Sequence, residues 1–247
     1  MAGSPSEGRP YPPQGTRPGT RKTGKVKLIA RAEIIKRWTV CVAGILFTAA
    51  GIALLTKAGL GTSQISSLPY VTSLILPITF GTASFLMNVF FILAQVCILR
   101  SEYKKTDLLQ LPLTFAFGFF IDLMMFLFAH LSPTIYLARI ALALAGSVAL
   151  AFGVSLQIVS NVSILPADGI IRVIARKSNI HFGTVKTVFD LTLVASAVIL
   201  SFAVLHKLAG VREGTVIAAL LVGNIARFFL TRLEGLGRWM GKEMGRK

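Results

Sequence analysis

The stretches ITFGTASFLMNV (78–89) and IHFGTVKTVFDL (180–191) decide the fold, because the second repeats the first at an offset of 102 residues. Both contain Phe-Gly-Thr at the same place, and Asn88 falls on Asp190. Without a gap, the same offset aligns further residues: Gly44 with Gly146, Ala49 with Ala151, Gly51 with Gly153, and GLGTSQIS (59–66) with NVSILPAD (161–168). A repeat of this length indicates two structurally similar halves. Shared composition of apolar helices is the alternative explanation of these identities.

Apolar runs on either side of these stretches place the chain in a membrane. Hydrophobic residues make up 54% of the sequence and charged residues only 15%, and the mean hydropathy is +0.72, which is outside the range of soluble domains. Since roughly 20 residues cross the hydrocarbon core, we expect six spanning helices. They cover approximately residues 38–55, 82–99, 108–130, 135–160, 184–205 and 214–231.

Two further apolar stretches, 63–76 and 164–177, are shorter than a spanning helix requires. We therefore expect a re-entrant or interfacial placement for both. Each half then contains three spans, and because three is odd, the two halves must cross the membrane in opposite orientations. The predicted fold is an all-α, polytopic membrane helix bundle of two three-span inverted repeats, each with a short broken or re-entrant segment. Many secondary transporters share this plan.

The net charge of +16 results from Lys and Arg residues in the tails and short loops. Cytoplasmic loops of membrane proteins collect these residues. We therefore expect a multi-pass protein of a bacterial plasma membrane with both termini in the cytoplasm, and no nucleic-acid binding. The predicted organisation is a disordered basic tail (1–36), two membrane repeats (37–131 and 132–231) and a second basic tail (232–247). Anionic lipid headgroups are the expected partners of the tails.

Three segments resemble the YczE/YyaS/YitT family of bacterial membrane proteins: GLGTSQISSLP (59–69), LPADGIIRVIARKSNIHFGTVKTVFDLTLV (165–194) and REGTVIAALLVGNIARFF (212–229). The resemblance covers roughly residues 44–229. In such proteins the first loop often reads Gly-x-Gly-Thr-x-Pro followed by Trp or Asp, whereas here Gln64 takes the proline position and Ser66 the aspartate position. The second copy keeps Pro166 and Asp168. The resemblance implies a membrane location, transport, and an association with secondary metabolism or regulation.

Polar side chains within the spans are the first candidates for a binding site, because burying them in hydrocarbon costs free energy unless they face a partner or a wet cavity. Asp122 and Asp190 lie inside predicted spans. We expect Asp190 and its repeat counterpart Asn88 to line a central cavity, and Asp122 to be a proton or cation site. In the alternative, Asp190 only pairs with Lys186, one helical turn earlier.

The starts of the two short segments are a second group of candidates. Gly, Thr, Ser, Pro and Asp residues precede or begin them, which is typical of helix N-termini. A helix N-terminus inside the membrane attracts an anionic group. We expect Thr62, Ser63, Asp168 and Thr184 to contact a small polar or anionic solute. In the alternative, Asp168 only caps its own helix and pairs with Arg172.

Chemistry beyond binding has little support in the sequence. It contains no metal-spaced set of His and Cys residues, no phosphate-binding loop and no Ser-His-Asp pattern, so we expect no catalytic residues, no metal and no cofactor. Two functions remain open. One is a secondary transporter or exporter of a small polar or anionic solute, and the other is a non-transporting membrane regulator or scaffold whose basic tails bind a partner. Nothing in the sequence indicates the oligomeric state.

Overall fold

The computed structural model describes residues 21–103, 108–162 and 165–240, with side chains from residue 33 onward. In chain order its helices are α1 (Arg21–Lys57), α2 (Gln64–Ile75), α3 (Phe80–Leu99), α4 (Gln110–Leu127), α5 (Tyr136–Ser160), α6 (Pro166–Ser178), α7 (Phe182–Leu200), α8 (Glu213–Arg232) and α9 (Glu234–Trp239). A 3-10 turn, Arg100–Glu102, follows α3, and α7 continues as a short π-helix, Ser201–Leu205.

Within the described ranges, six helices are long and apolar enough to cross a membrane. The candidate spans are Glu33–Lys57, Phe80–Glu102, Gln110–Leu127, Tyr136–Ser160, Phe182–Leu205 and Glu213–Arg232. Their number and order confirm the six spans expected from the sequence. Large apolar side chains such as Phe126, Leu137 and Ile199 are exposed on the outside of the bundle, where lipid would cover them. The chain is a multi-pass membrane protein.

The helices α2 and α6 match the two short segments. They contain 12 and 13 residues, which span about 18 and 20 Å at 1.5 Å per residue, whereas the hydrocarbon core is about 30 Å thick. Ser63 is the N-cap of α2, and Pro166 occupies the first turn of α6, where its missing N–H is not needed. Neither helix is long enough to cross the membrane alone.

Helices α1 and α5 form the centre of the bundle and run antiparallel. Gly44 lies against Gly153, and Gly51 lies against Gly146, so residue numbers rise along one helix as they fall along the other. A methyl group added to Gly44 would lie 2.9 Å from the Gly153 carbonyl oxygen. One added to Gly51 would lie 2.7 Å from the Gly146 carbonyl oxygen. Glycine at these positions therefore allows the two backbones to touch.

The remaining contacts connect the halves through the short helices. The helix α2 packs on α7, and α6 packs on α3. Similarly, α4 packs on α1, and α8 packs on α5. Each of these contacts has its counterpart when α1–α4 are exchanged for α5–α8. The closest contact without an equal counterpart is that of α3 with α4, which pack tightly through Gly81 and Gly118, whereas α7 and α8 hardly touch.

The two ends of the described chain meet at one end of the bundle. The Arg37 Nε group donates a hydrogen bond to the Met240 carbonyl oxygen over 3.4 Å. The Lys36 ammonium lies 4.2 Å from the centroid of the Trp239 ring, within the range of a cation–π contact. An even number of spans requires the two ends to lie on the same side of the membrane. The contacts between the two ends agree with this requirement.

Parts of the two predicted tails are helical. The helix α1 begins at Arg21, so the last part of the predicted N-terminal tail is helical and continuous with the first span. No proline interrupts the chain there. The helix α9 likewise lies within the predicted C-terminal tail. Residues 1–20 and 241–247 of the predicted tails lie outside the described residues.

Candidate functional site

A cavity with a volume of about 260 Å³ lies between the two halves of the bundle. Each of the helices α1 to α8 contributes to its wall. The wall is mostly apolar, and its polar side chains come mainly from α2, α3, α6 and α7. A largely apolar wall with a few polar groups is typical of a small-molecule site.

Much of the wall consists of residues that correspond in the repeat. The pairs, each 102 positions apart, are Thr48 and Leu150, Ile52 and Val154, Ser63 and Leu165, Ile65 and Ala167, Ser66 and Asp168, Ser84 and Lys186, and Asn88 and Asp190. The two halves therefore enclose the cavity with equivalent helix faces.

The charged residues of the wall all come from the second half. The Lys186 ammonium on α7 lies 3.5 Å from Asp168 Oδ1 on α6 and 3.4 Å from Asp190 Oδ2, one helical turn away. Their repeat counterparts in the first half are uncharged. One ammonium thus lies between two carboxylates, so negative side chains exceed positive ones in the wall.

The corresponding part of the wall in the first half is neutral and largely buried. Asn88 donates its side-chain amide to the Ser84 carbonyl oxygen at 2.8 Å, and the Ser63 hydroxyl donates to the Ser66 hydroxyl at 2.9 Å. The Ser84 hydroxyl itself is buried and has no hydrogen-bond partner among the described residues. This side therefore offers hydroxyl and amide groups to a solute.

The first turns of both short helices face the cavity. Ser63 and Ile65 at the start of α2 line it, as do Leu165 and Ala167 at the start of α6. The helix α2 begins without a side-chain cap and without an acidic residue in its first turn. Its free backbone N–H groups therefore bring a partial positive charge to the cavity.

Asp168 does not cap its own helix, which was the alternative role that the sequence left open for it. The N-cap of α6 is Leu165, and Asp168 lies in the first turn without capping the helix. Its ion-pair partner is Lys186, whereas Arg172 is exposed. The predicted pairing with Arg172 is wrong because packing of α6 and α7 brings another cation within reach of the carboxylate inside the cavity.

Ser63, Asn88, Asp168 and Asp190, all predicted as site residues, lie in the wall of the cavity. Asp190 also pairs with Lys186. The sequence left two interpretations open for Asp190, lining the cavity or pairing with Lys186. The structure contains both, since the paired residues themselves line the cavity.

Asp122, which was predicted as a proton or cation site, does not line the cavity. Its carboxylate accepts a hydrogen bond from the Thr79 hydroxyl at 2.6 Å and another from the Gly81 N–H at 2.7 Å. Thr79 and Gly81 lie at the N-terminus of α3. Asp122 therefore stabilises a helix end from the neighbouring α4, where free N–H groups and the helix dipole favour a negative charge.

Thr62 and Thr184 also lie outside the cavity wall. The Thr62 hydroxyl accepts a hydrogen bond from Thr56 at 3.0 Å, and the Thr62 N–H donates to the Gly210 carbonyl oxygen at 3.0 Å. Thr184 is exposed in the first turn of α7. Both threonines were predicted as solute contacts, but tertiary packing directs one into a loop contact and leaves the other on the outer surface.

The sequence analysis missed Ser84 and Thr48 in the wall. Ser84 precedes Asn88 by one helical turn, so helical spacing alone places the two on the same face. The repeat offset also marks Ser84, because it corresponds to Lys186. The Thr48 hydroxyl accepts a hydrogen bond from Gln157 across α1 and α5 at 2.7 Å, and no local pattern indicates that contact.

Among the described residues, no group of three or more His, Cys, Asp and Glu side chains could hold a metal ion. Cys41 is buried and Cys97 is exposed, and both are free thiols.

The cavity and the helices around it coincide with a region of known sequence similarity. A model of a protein family described as a family of unknown function (DUF6198) matches residues 35–231. The chain belongs to this family. The DUF6198 match includes all six candidate spans and both short helices, apart from the first residues of α1 and the last residue of α8.

The DUF6198 chain also resembles a curated relative, the uncharacterized membrane protein YczE of Bacillus subtilis (strain 168). The two are 26% identical over 201 residues, which cover 81% of this chain and 88% of the relative. The resemblance to YczE-like proteins predicted from the loop and repeat motifs is confirmed. No solved structure matches the chain.

Proposed function

We propose that this DUF6198 protein is a secondary transporter or exporter that moves a small polar solute through the cavity between its two halves. The observation that carries the proposal is the cavity wall, to which both halves contribute equivalent residues 102 positions apart. Transporters built from inverted repeats bind their solute at the interface of the repeats, beside helices that do not cross the membrane. The first turns of α2 and α6 supply such helix ends.

The contact of α1 with α5 supports opposite orientations of the two halves. Gly44 lies against Gln157, and its repeat counterpart Gly146 lies against Leu55, the counterpart of Gln157. Exchanging the halves therefore carries this interface onto itself, as a two-fold axis requires. The two helices also run antiparallel, as the first spans of inverted halves must.

The contact of α3 with α4, which has no equally close equivalent between α7 and α8, supports alternation between two states. On α3 and α4, a methyl group on Gly118 would lie 2.7 Å from the Gly81 carbonyl oxygen. Gly81 corresponds to Gly183 at the offset of 102, and Gly118 corresponds to Gly223 when a small insertion is allowed. Nothing lies within 4 Å of a methyl group on Gly223, which lines the cavity. In the proposed cycle, α7 closes onto α8 as α3 separates from α4. The solute then reaches the cavity from alternate sides of the membrane.

The proposed location is a bacterial plasma membrane, with both termini in the cytoplasm. Arg37 and Met240 meet at one end of the bundle. Basic residues are concentrated in the segments assigned to this side, including Arg176 and Lys177, which pair with Glu102 after α3. Such a concentration is expected of the cytoplasmic side. Anionic lipid headgroups are the proposed partners of the basic tails.

Efflux from proteoliposomes tests the transport proposal. Liposomes containing the purified full-length chain are loaded with a uniformly ¹³C-labelled small-molecule extract of bacterial cells, and mass spectrometry identifies the labelled compounds that appear outside. We expect a restricted set of compounds to leave faster than from protein-free liposomes. Ala219→Trp should abolish this efflux, because Ala219 lines the cavity and an indole there would fill it.

Val216→Trp is the matched control on the same helix. Val216 is 59% exposed and is not part of the cavity wall, so efflux should persist in this variant. Equal efflux with and without protein would contradict transport and favour a non-transporting regulator. Deleting residues 1–24 then provides an independent test, since a tail-dependent regulator should lose its function whereas a transporter should keep its efflux. The proposal assigns the chain no catalytic step and no cofactor.

A further inference from the structure

The Asp190 carboxylate is only partly satisfied in the cavity. Its Oδ2 atom lies 3.4 Å from the Lys186 ammonium. Its Oδ1 atom is buried and has no hydrogen-bond partner among the described residues. A buried carboxylate oxygen without a partner is costly, because water no longer solvates it. A ligand that donates to this oxygen would remove that cost.

Lys186 does not neutralise this part of the wall. Its single ammonium is shared by Asp168 at 3.5 Å and Asp190 at 3.4 Å. Both distances exceed the roughly 2.7–2.9 Å of a strong charge-assisted hydrogen bond. Among the described residues that line the cavity, these three carry the charge. Two carboxylates therefore compete for one cation, and the side chains leave an excess of negative charge.

A second unpartnered group lies in the same cavity, on the other half of the protein. Ser84 is only 3% exposed, and its hydroxyl has no hydrogen-bond partner among the described residues. It lines the cavity together with Asp190. Two polar groups from opposite halves, a carboxylate that is only partly hydrogen-bonded and a hydroxyl without a partner among the described residues, thus belong to residues that line one cavity.

We infer, on the basis of the proposed transport function, that the solute carries a protonated primary amine that binds Asp190 and Ser84. An ammonium group has three N–H donors and no acceptor, so its chemistry suits both the Asp190 carboxylate and the Ser84 hydroxyl. Its positive charge also balances the second carboxylate of the wall. This solute class differs from the anionic solute that the sequence analysis included, because the charged side chains of the wall are in negative excess.

The cavity also limits the size and polarity of the amine. Its volume of about 260 Å³ exceeds the roughly 150 Å³ of a protein cavity that holds a benzene molecule. Phe91, Phe117, Leu150 and Val222 contribute apolar surface to the wall. A small amine with a hydrophobic part would bury that part against these side chains. The inferred solute class is therefore a compact amphipathic amine.

Three probes of similar size and different charge test this inference. They are phenethylamine, which is cationic, 2-phenylethanol, which is neutral, and 3-phenylpropionate, which is anionic. Binding to the full-length chain in lipid nanodiscs is measured by calorimetry. We expect phenethylamine to bind about tenfold or more tightly than the other two, as one charge-assisted hydrogen bond predicts. Absence of phenethylamine binding, or equal binding of either other probe, would overturn the inference.

Substitutions in the wall test which atoms bind the amine. Asp190→Asn should weaken phenethylamine binding about tenfold or more and leave 2-phenylethanol binding unchanged. Ser84→Ala should weaken phenethylamine binding to a smaller extent. Glu102→Gln is the matched control, because it makes the same chemical change at an exposed position outside the cavity. If Asp190→Asn fails to fold, Ser84→Ala and the comparison of probes on the unmodified protein still test whether the cavity binds an amine.

Separate measurements of binding and transport make the two proposals fail independently. Charge-selective binding in nanodiscs without phenethylamine flux in proteoliposomes would retain the amine site and contradict transport. Efflux of labelled neutral or anionic compounds by a chain that binds no phenethylamine would retain transport and overturn the amine site. Selective binding together with phenethylamine flux that Ala219→Trp blocks would support both.

Discussion

Asn88 and Asp190 line the same cavity from α3 and α7, although 102 residues separate them in the chain. Each is paired with the residue one turn earlier on its own helix. Asn88 donates to the Ser84 carbonyl oxygen at 2.8 Å, and Asp190 pairs with Lys186 at 3.4 Å. The two halves thus present equivalent positions with different chemistry. The charged side chains of the wall belong to the second half, so substitutions in each half test the charged and the neutral side of the cavity separately.

Lys186→Met tests whether the lysine binds the solute or competes with it. If the lysine is a tethered cation that occupies part of an amine site, its removal should not weaken phenethylamine binding in nanodiscs. Asp190→Asn should weaken it strongly. Calorimetry on the two variants measures both effects. Loss of binding in Lys186→Met as large as in Asp190→Asn would mean that the intact ion pair, and not the carboxylate, forms the site.

Gly51→Ala should destabilise the protein by about 1–3 kcal/mol, the usual cost of overpacking. The added methyl group would lie 2.7 Å from the Gly146 carbonyl oxygen, and a backbone atom cannot move aside as a side chain can. Unfolding by titration with a denaturing detergent measures the change. Gly235→Ala in α9 is the control, since nothing lies within 4 Å of its added methyl group. Equal effects of the two changes would contradict close packing of α1 on α5.

Gly118→Ala and Gly223→Ala should differ, although the two glycines correspond in the repeat when a small insertion is allowed. Gly118→Ala should cost about 1–3 kcal/mol, because its methyl group meets the Gly81 backbone. Gly223→Ala has open space and should be neutral or stabilising by up to about 1 kcal/mol through helix propensity. The same detergent titration compares the two variants.

Gly223→Leu tests the proposed closure of α7 onto α8. The variant should fold, because nothing lies close to this position in the described state. It should nevertheless slow efflux from proteoliposomes, since the larger side chain would prevent the approach of α7. Gly223 also lines the cavity, so unchanged phenethylamine binding in nanodiscs is required to separate blocked closure from a filled cavity. Normal efflux in a folded Gly223→Leu protein would argue against this movement.

Asp122→Asn should reduce stability without changing solute binding. The substitution removes a negative charge that accepts hydrogen bonds from Thr79 and Gly81 at the start of α3, and loss of such a cap costs about 0.5–2 kcal/mol. Phenethylamine binding should remain, because Asp122 is not in the cavity wall. Lost binding in a stable Asp122→Asn protein would restore the role that the sequence suggested for this residue.

Cysteine labelling in intact cells tests the orientation of the halves. In a variant without Cys41 and Cys97, a single cysteine is introduced as Lys177→Cys or Lys207→Cys, and a membrane-impermeant maleimide is added outside. We expect labelling at position 207 and protection at position 177, because the six-span arrangement places them on opposite sides. The reverse pattern would mean that both short helices cross the membrane and that the halves are parallel.

The cavity could be predicted only in part from local patterns. Asn88 and Asp190 were found because the repeat aligns them and because polar groups inside a span are conspicuous. Asp122 satisfied the same criterion and nevertheless caps α3 outside the cavity. A polar residue inside a span must find a partner, but the sequence does not distinguish a helix end from a solute.

The sequence by itself determined the number of spans and the two short helices, because run length and helix rise are local properties of the chain. Only the tertiary structure decided which polar groups meet. Asp168 pairs with Lys186, 18 residues later, and Asp122 binds Thr79, 43 residues earlier. Such contacts depend on how closely the helices pack, and that distance is set by backbone contacts between helices that are far apart in the sequence.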